Sequence, residues 1–373
     1  MQLPPHEFRR AQQWATSLDP RNHCRDPPRS QNFFTSDVRL MQLRSFRKAP
    51  SGSGNTRTAL SGKRGKKNII DAKFEKGQVE QFNVVYEDTP QKLPFSRLGR
   101  PFVFACAFTG CAFAGSAIWQ YEGARTRALS RLRQRYSGFF EAREHKRGEL
   151  RDVLNQWYSQ LTGTQKVVLG IVVTNIAVFA FWRIPAMQHF MIHWFSANPA
   201  ASATCLPMIL SVFSHYSLWH LGINMYVLWS FSGSIGSILG KEQFLAMYLS
   251  AGVWASFASY ALKIATSRFN PSLGASGAIM AVLGSVCIQY PDARLAIIFL
   301  PFVTFSASTA LTALIGLESM GVILGWQVFD HAAHLAGLLF GCYYVKHGHK
   351  PMWGRRERYL QKWHNWRGKP QDV

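Results

Sequence analysis

Ser276 sits between Gly274 and Gly277, at the head of an almost uncharged apolar run, and His334 lies inside another. A neutral imidazole can take the proton of a serine hydroxyl and make it a nucleophile. Such a pair is chemically sufficient when hydrogen-bond donors wait for the developing oxyanion. His220 and Asn224 are four residues apart and so share one helix face. Both can donate to an oxyanion, together with the backbone N–H of Ser276. Each of these residues also has a plainer reading. Ser276 could be one more small packing residue, His334 a hydrogen-bonded buried imidazole, and Asn224 a partner in a hydrogen bond between helices.

These residues must be carried by helices that approach closely. Gly277, Ala281 and Gly284 recur at helical spacing, as do His334, Gly337 and Gly341, giving each run a smooth face for a partner helix. The chain has 373 residues and a formal charge of +22, while 167–345 contains long stretches without Asp, Glu, Lys or Arg. A basic excess flanking apolar runs points to a membrane surface or a targeting peptide and away from nucleic acid. The apolar runs predict spans at 101–119, 167–181, 220–240, 244–262, 276–290, 295–317 and 331–345. The fold class expected is an all-α membrane protein, with one N-terminal transmembrane helix added to a six-helix core.

The remaining segments are read by composition. Residues 1–67 hold fourteen Arg and Lys against four acids, without an apolar core, as in a mitochondrial transit leader. A linker over 68–100, a charged amphipathic connection over 120–165, a core over 166–345 and a basic tail over 346–373 complete the division. The stretch 184–219 mixes His189, His193, Trp194, Pro199 and Pro207 and is expected to be a partly immersed loop. Irregular backbone at membrane depth is tolerated only when buried in protein or lining water, so this loop suggests a nearby site. The six cysteines form no CxxC pair, and no HExxH and no pair of intramembrane aspartates occurs. No metal, cofactor or disulfide framework is expected.

SHYSLWHLGIN at 214–224, GASG at 274–277 and AHLAG at 333–337 together resemble the rhomboid intramembrane serine proteases. The resemblance covers roughly 165–345. It implies Ser276 as nucleophile, His334 as general base, His220 and Asn224 on the oxyanion side with Gly274 and Gly277 in support, and His215 as a structural histidine of the preceding loop. His331 does not fit the base position and is expected at a helix end near the interface. The extra span ahead of the core and the basic leader resemble the mitochondrial members. That implies an inner-membrane, multi-pass endopeptidase acting on single-pass transmembrane proteins, in contact with membrane lipid, with roles in mitophagy and apoptosis. Oligomeric state is not readable. Two departures stand out. Met280 occupies a position where many bacterial members have a Tyr that stacks on the base, and Trp182-Arg183 is the only Trp-Arg pair near the first loop. An inactive relative that binds client helices would lack Ser276 or His334. A transporter would want intramembrane carboxylates, and Glu318 and Asp330 fall at the ends of the apolar runs.

Overall fold

The computed structural model describes residues 92–136, 149–297 and 300–368. The leader expected over 1–67 and most of the linker after it lie outside the described residues.

A 3-10 turn at Phe95–Leu98 leads into helix α1, Gly99–Tyr136, which contains the span expected at 101–119 and runs on through the charged residues after it. Helix α2, Glu149–Gln160, exposes Leu150, Val153, Leu154 and Trp157 along one face. That spacing suits a helix lying at a membrane interface. Thr162 opens α3, Gly163–Phe181, through a capping box: its hydroxyl accepts from Gln165 N–H and the Gln165 side chain accepts from Thr162 N–H.

The loop expected over 184–219 is built from short pieces, among them α4, Gln188–Phe195, and α5, Pro207–Leu210. Its backbone is anchored in protein. Ala197 and Ser272 exchange backbone hydrogen bonds of 2.7 and 2.9 Å, and Gly274 N–H donates to the Ser211 carbonyl at 2.9 Å. Asn198, almost fully buried, donates to the Phe269 carbonyl at 2.7 Å.

Helix α6, Leu218–Thr266, holds the two spans expected at 220–240 and 244–262, divided where Gly240 takes φ 76° and ψ 164°. Only glycine adopts that conformation cheaply. Helix α7, Ser276–Gln289, is the innermost element and packs on α6 and on α9, His331–Tyr343.

One expected span is wrong. Residues 295–317 are not a single helix. Strand β1, Arg294–Ile297, pairs antiparallel with β2, Leu300–Ser306, and only then does α8, Ala307–Leu324, begin. Pro301 has no N–H to give and clashes with the preceding turn in a helix interior, so the run cannot be helical through it. Ser306 supplies the true start, accepting from Thr309 N–H at 3.2 Å.

After α9 the chain passes through a π turn, Tyr344–Gly348, into α10, His349–Gly354, and α11, Arg356–Gly368. Four described helices are long and apolar enough to cross a membrane: the first, α3, α6 and α8, with α7 shorter. Among the described residues, the architecture is that of an all-α membrane protein carrying one small hairpin.

Candidate active site

Ser276 is the first residue of α7, and His334 lies one turn into α9. Their meeting depends on the glycines of the two helices. A Cβ on Gly337 would strike the Gly277 carbonyl, and one on Gly341 would strike the Ala281 carbonyl. From the other side, a Cβ on Gly284 would lie 2.5 Å from the Leu338 carbonyl oxygen. The helices therefore touch backbone to backbone, as small-residue faces allow in membranes. Gly277 also admits α6, since a Cβ there would come within 2.5 Å of the Ala255 methyl. At the end of this seam, Ser276 Oγ lies 2.8 Å from His334 Nε2.

Gly274 does a different job. Its φ of 137° is a conformation that side chains disfavour, and a Cβ there would sit 2.9 Å from His220 Cε1 and 3.7 Å from Ser276 Oγ. The bare backbone leaves His220 beside the serine. A cavity of about 340 Å³ is lined by Tyr216, His220, Ser276, Phe329 and His334 among others. Asn224 does not line it. Its Nδ2 donates to the His220 carbonyl at 2.8 Å, one turn back along α6.

His215 is fully buried, and its ring meets that of His220 edge-on at 4.9 Å between centroids. Burial, followed by the neighbouring His220, pushes its imidazole down to about 3, so it stays neutral. Trp182 and Arg183 hold this loop in place. Trp182 Nε1–H donates to Ser214 Oγ at 2.6 Å, and the Arg183 guanidinium donates to the Tyr216 carbonyl and lies over the Phe179 ring. The aromatic ring beside the His334 imidazole is Phe329, 6.1 Å away and tilted, from the loop before α9 rather than from position 280.

Two carboxylates assigned to run ends from sequence are in the site. Asp330 caps α9, accepting from Ala333 N–H at 3.1 Å and from Ser259 Oγ at 2.5 Å. It also accepts from Ser272, with Lys263 Nζ 3.8 Å away. This cluster ties α9 to the strand of chain entering Ser276. Glu318 lies in the interior of α8 and is 4 % exposed. One of its oxygens is 3.1 Å from His334 Nδ1 and the other 2.6 Å from His331 Nδ1. His331 is therefore a buried partner of that carboxylate and not an interfacial residue. Sequence reading missed Glu318 because the span before it was drawn to end at 317. With Pro301 taken as a helix breaker, the same run would have placed a lone carboxylate inside an apolar helix, which is itself a functional signal. Among the described residues, no group of His, Cys, Asp and Glu is arranged to hold a metal ion.

The rhomboid domain family matches residues 203–350. The chain is 45% identical over 366 residues to the presenilin-associated rhomboid-like protein, mitochondrial, of Pongo abelii, covering 95% of this chain and 93% of that one. The chain belongs to the rhomboid family. Against the mouse (Mus musculus) protein of the same description, identity is 47% over 328 residues, covering 87% of this rhomboid and 85% of the relative. Against the mitochondrial rhomboid protein 1 of Saccharomyces cerevisiae it is 33% over 207 residues, 55% of this chain and 60% of the other. The rhomboid family is one of intramembrane serine proteases, and this member is of the mitochondrial type.

Proposed function

We propose that this rhomboid is a multi-pass serine endopeptidase of the mitochondrial inner membrane that cuts single-pass transmembrane helices. The observation that carries the reading is the 2.8 Å contact between Ser276 Oγ and His334 Nε2 in a cavity between apolar helices. In this reading Ser276 attacks the scissile carbonyl while its proton passes to His334 Nε2. The oxyanion is received by His220, the Ser276 backbone N–H and Asn224, whose amide must first leave the His220 carbonyl. His334 then protonates the departing amine, and water, deprotonated by the same imidazole, releases the acyl enzyme. Gly274 and Gly277 keep the approach open.

A helical peptide bond is hydrogen-bonded and shielded, so a substrate must unwind near the cut. Substrates rich in Gly, Pro or other small residues there meet that need. Trp326, Val328 and Phe329 line the cavity and are exposed, which suits an apolar segment arriving from the lipid. The division into leader, linker, extra helix, core and tail drawn from sequence belongs to this proposal. So do the roles in mitophagy and apoptosis that the resemblance implies.

The test is covalent labelling of detergent-solubilised protein with a fluorescent fluorophosphonate. The wild type is expected to label, and Ser276→Ala and His334→Ala are expected to lose the label while keeping the wild-type elution profile. Label retained in either variant would remove the Ser–His assignment. An unlabelled, well-folded wild type would favour a client-binding protein that does not cut.

A further inference from the structure

The base of a serine protease has two nitrogens, and the second decides the tautomer of the first. His334 presents Nε2 to Ser276 and Nδ1 to Glu318 Oε1, at 2.8 and 3.1 Å. The other carboxylate oxygen, Oε2, faces His331 Nδ1 at 2.6 Å. All three side chains are nearly removed from solvent. We infer that Glu318 is a positioning residue for the general base, its carboxylate fixing the His334 tautomer and standing beside the imidazolium formed during attack. This rests on the protease reading proposed above.

The geometry argues for more than packing. Helix α8 turns Leu317, Met320, Ile323 and Leu324 outward and buries Glu318 with a few small residues such as Ala307, Ala310 and Gly321. A charged side chain inside an apolar helix is expensive and persists only with partners. His331 alone would occupy one oxygen; the second is aimed at the base. Gly321, three residues on from Glu318, makes the arrangement fit, because a Cβ there would strike the His331 ring. His331 thus clamps the carboxylate from one side while His334 uses the other.

Proton accounting follows. With Nδ1–H of His334 donated to Glu318, the Nε2 lone pair is free to accept the Ser276 proton as Oγ bonds to the carbonyl carbon. The resulting imidazolium keeps Nδ1–H on the carboxylate, which never takes the proton itself. Nε2–H then passes to the leaving amine as the C–N bond breaks. In serine triads the buried acid has this orienting and charge-balancing part, and the neutral amide in its place costs rate by holding the wrong tautomer.

The test uses the full chain in detergent, with a fluorescence-quenched transmembrane peptide and the fluorophosphonate as probes. Glu318→Gln keeps shape and loses charge. Its kcat is expected to fall about a hundredfold, in the range a general base supplies, with KM within about twofold. The other groups facing this corner, His220, His331, Asp330 and Lys263, are unchanged in that variant. Glu318→Asp keeps charge and loses length. It is expected to retain more kcat than Glu318→Gln, whereas a packing role would favour the isosteric Gln. Equal kcat in wild type and Glu318→Gln, or Gln outperforming Asp, overturns the assignment. If Glu318→Gln does not fold, a Glu318→Asp variant with raised KM and unchanged kcat overturns it, and one with lowered kcat and unchanged KM supports it. A wild type that neither cuts nor labels refutes the protease reading itself, an outcome distinct from a wild type that cuts and a Glu318→Gln that cuts equally well.

Discussion

At the residue scale the site depends on which imidazoles are free to charge. His215 is buried without solvent contact, and its pKa falls from 6.5 to about 3, chiefly through desolvation. An unfolded chain would bind a proton at this residue below its ordinary pKa while the folded chain would not. The sign follows: the contribution to stability is complete above pH 6.5 and is lost as pH falls from there toward 3. The slope is about 1.4 kcal/mol per pH unit across that window. Unfolding of detergent-solubilised wild type and His215→Gln, followed from pH 8 down, is expected to show this slope in the wild type and a shallower one in the variant. Equal slopes would contradict a neutral buried imidazole. Ser276, His334 and His220 stood out in the sequence because each lies in a short motif with its glycine or helical spacing intact, whereas His215 was singled out by the family resemblance alone. Glu318 and His331 were not, because no motif marks them. Their pairing spans the end of α8 and the loop after it, and shows only once α8 is correctly phased.

At the scale of elements, two helices in backbone contact set the distance between nucleophile and base. The contact is made by Gly277, Gly284, Gly337 and Gly341, where α7 and α9 touch. A methyl at 337 would meet the Gly277 carbonyl with no flexible side chain to yield, so the helices must part near Ser276 itself. Overpacking of this kind costs about 1–3 kcal/mol. Gly337→Ala is therefore expected to lower the thermal midpoint and the fluorophosphonate labelling rate together. A wild-type midpoint with a wild-type labelling rate would mean that the seam does not set the site. The small-residue spacing made this seam readable before any coordinates. The hairpin was hidden for the opposite reason: residues 294–306 are as apolar as a span, and hydropathy does not distinguish a strand from a helix. The decisive sign was chemical, a proline without a donor at 301 and a serine able to cap at 306.

At the scale of the whole molecule, α1 acts as a ruler laid along the core. Before its first turn, Arg97 donates to the Ala201 carbonyl in the loop that precedes α6, at 2.7 Å. Further along, Thr109 accepts from Trp254 Nε1–H at 3.1 Å, and Ser116 donates to the Glu242 carbonyl at 2.8 Å, beside the break at Gly240. Phe113 packs on Tyr344, just past the end of α9. Last, Glu122 accepts from Trp363 Nε1–H at 3.0 Å and pairs with Arg367, both on α11. The order along α1 gives the molecule two poles. Leu218, Thr266, Ser276 and His331 end or begin their helices toward the Arg97 pole; Gly240, Gln289 and Tyr343 lie toward the other, with the tail. Seven spans, the count expected from sequence, would put the entry to α1 and α11 on opposite sides of the membrane. Ser96 and Gln361 are both exposed, so Ser96→Cys and Gln361→Cys give a direct measurement with an impermeant maleimide in sealed vesicles. Each vesicle orientation is expected to label one of the two and not the other. An impermeant fluorophosphonate is expected to reach Ser276 from the side that labels Ser96→Cys, because the cavity holding Ser276 is lined by residues of that pole such as Tyr216 and Thr266. Labelling of both cysteines from one side would leave an even number of crossings, and one of the shorter helices, α7 or α9, would then fail to span.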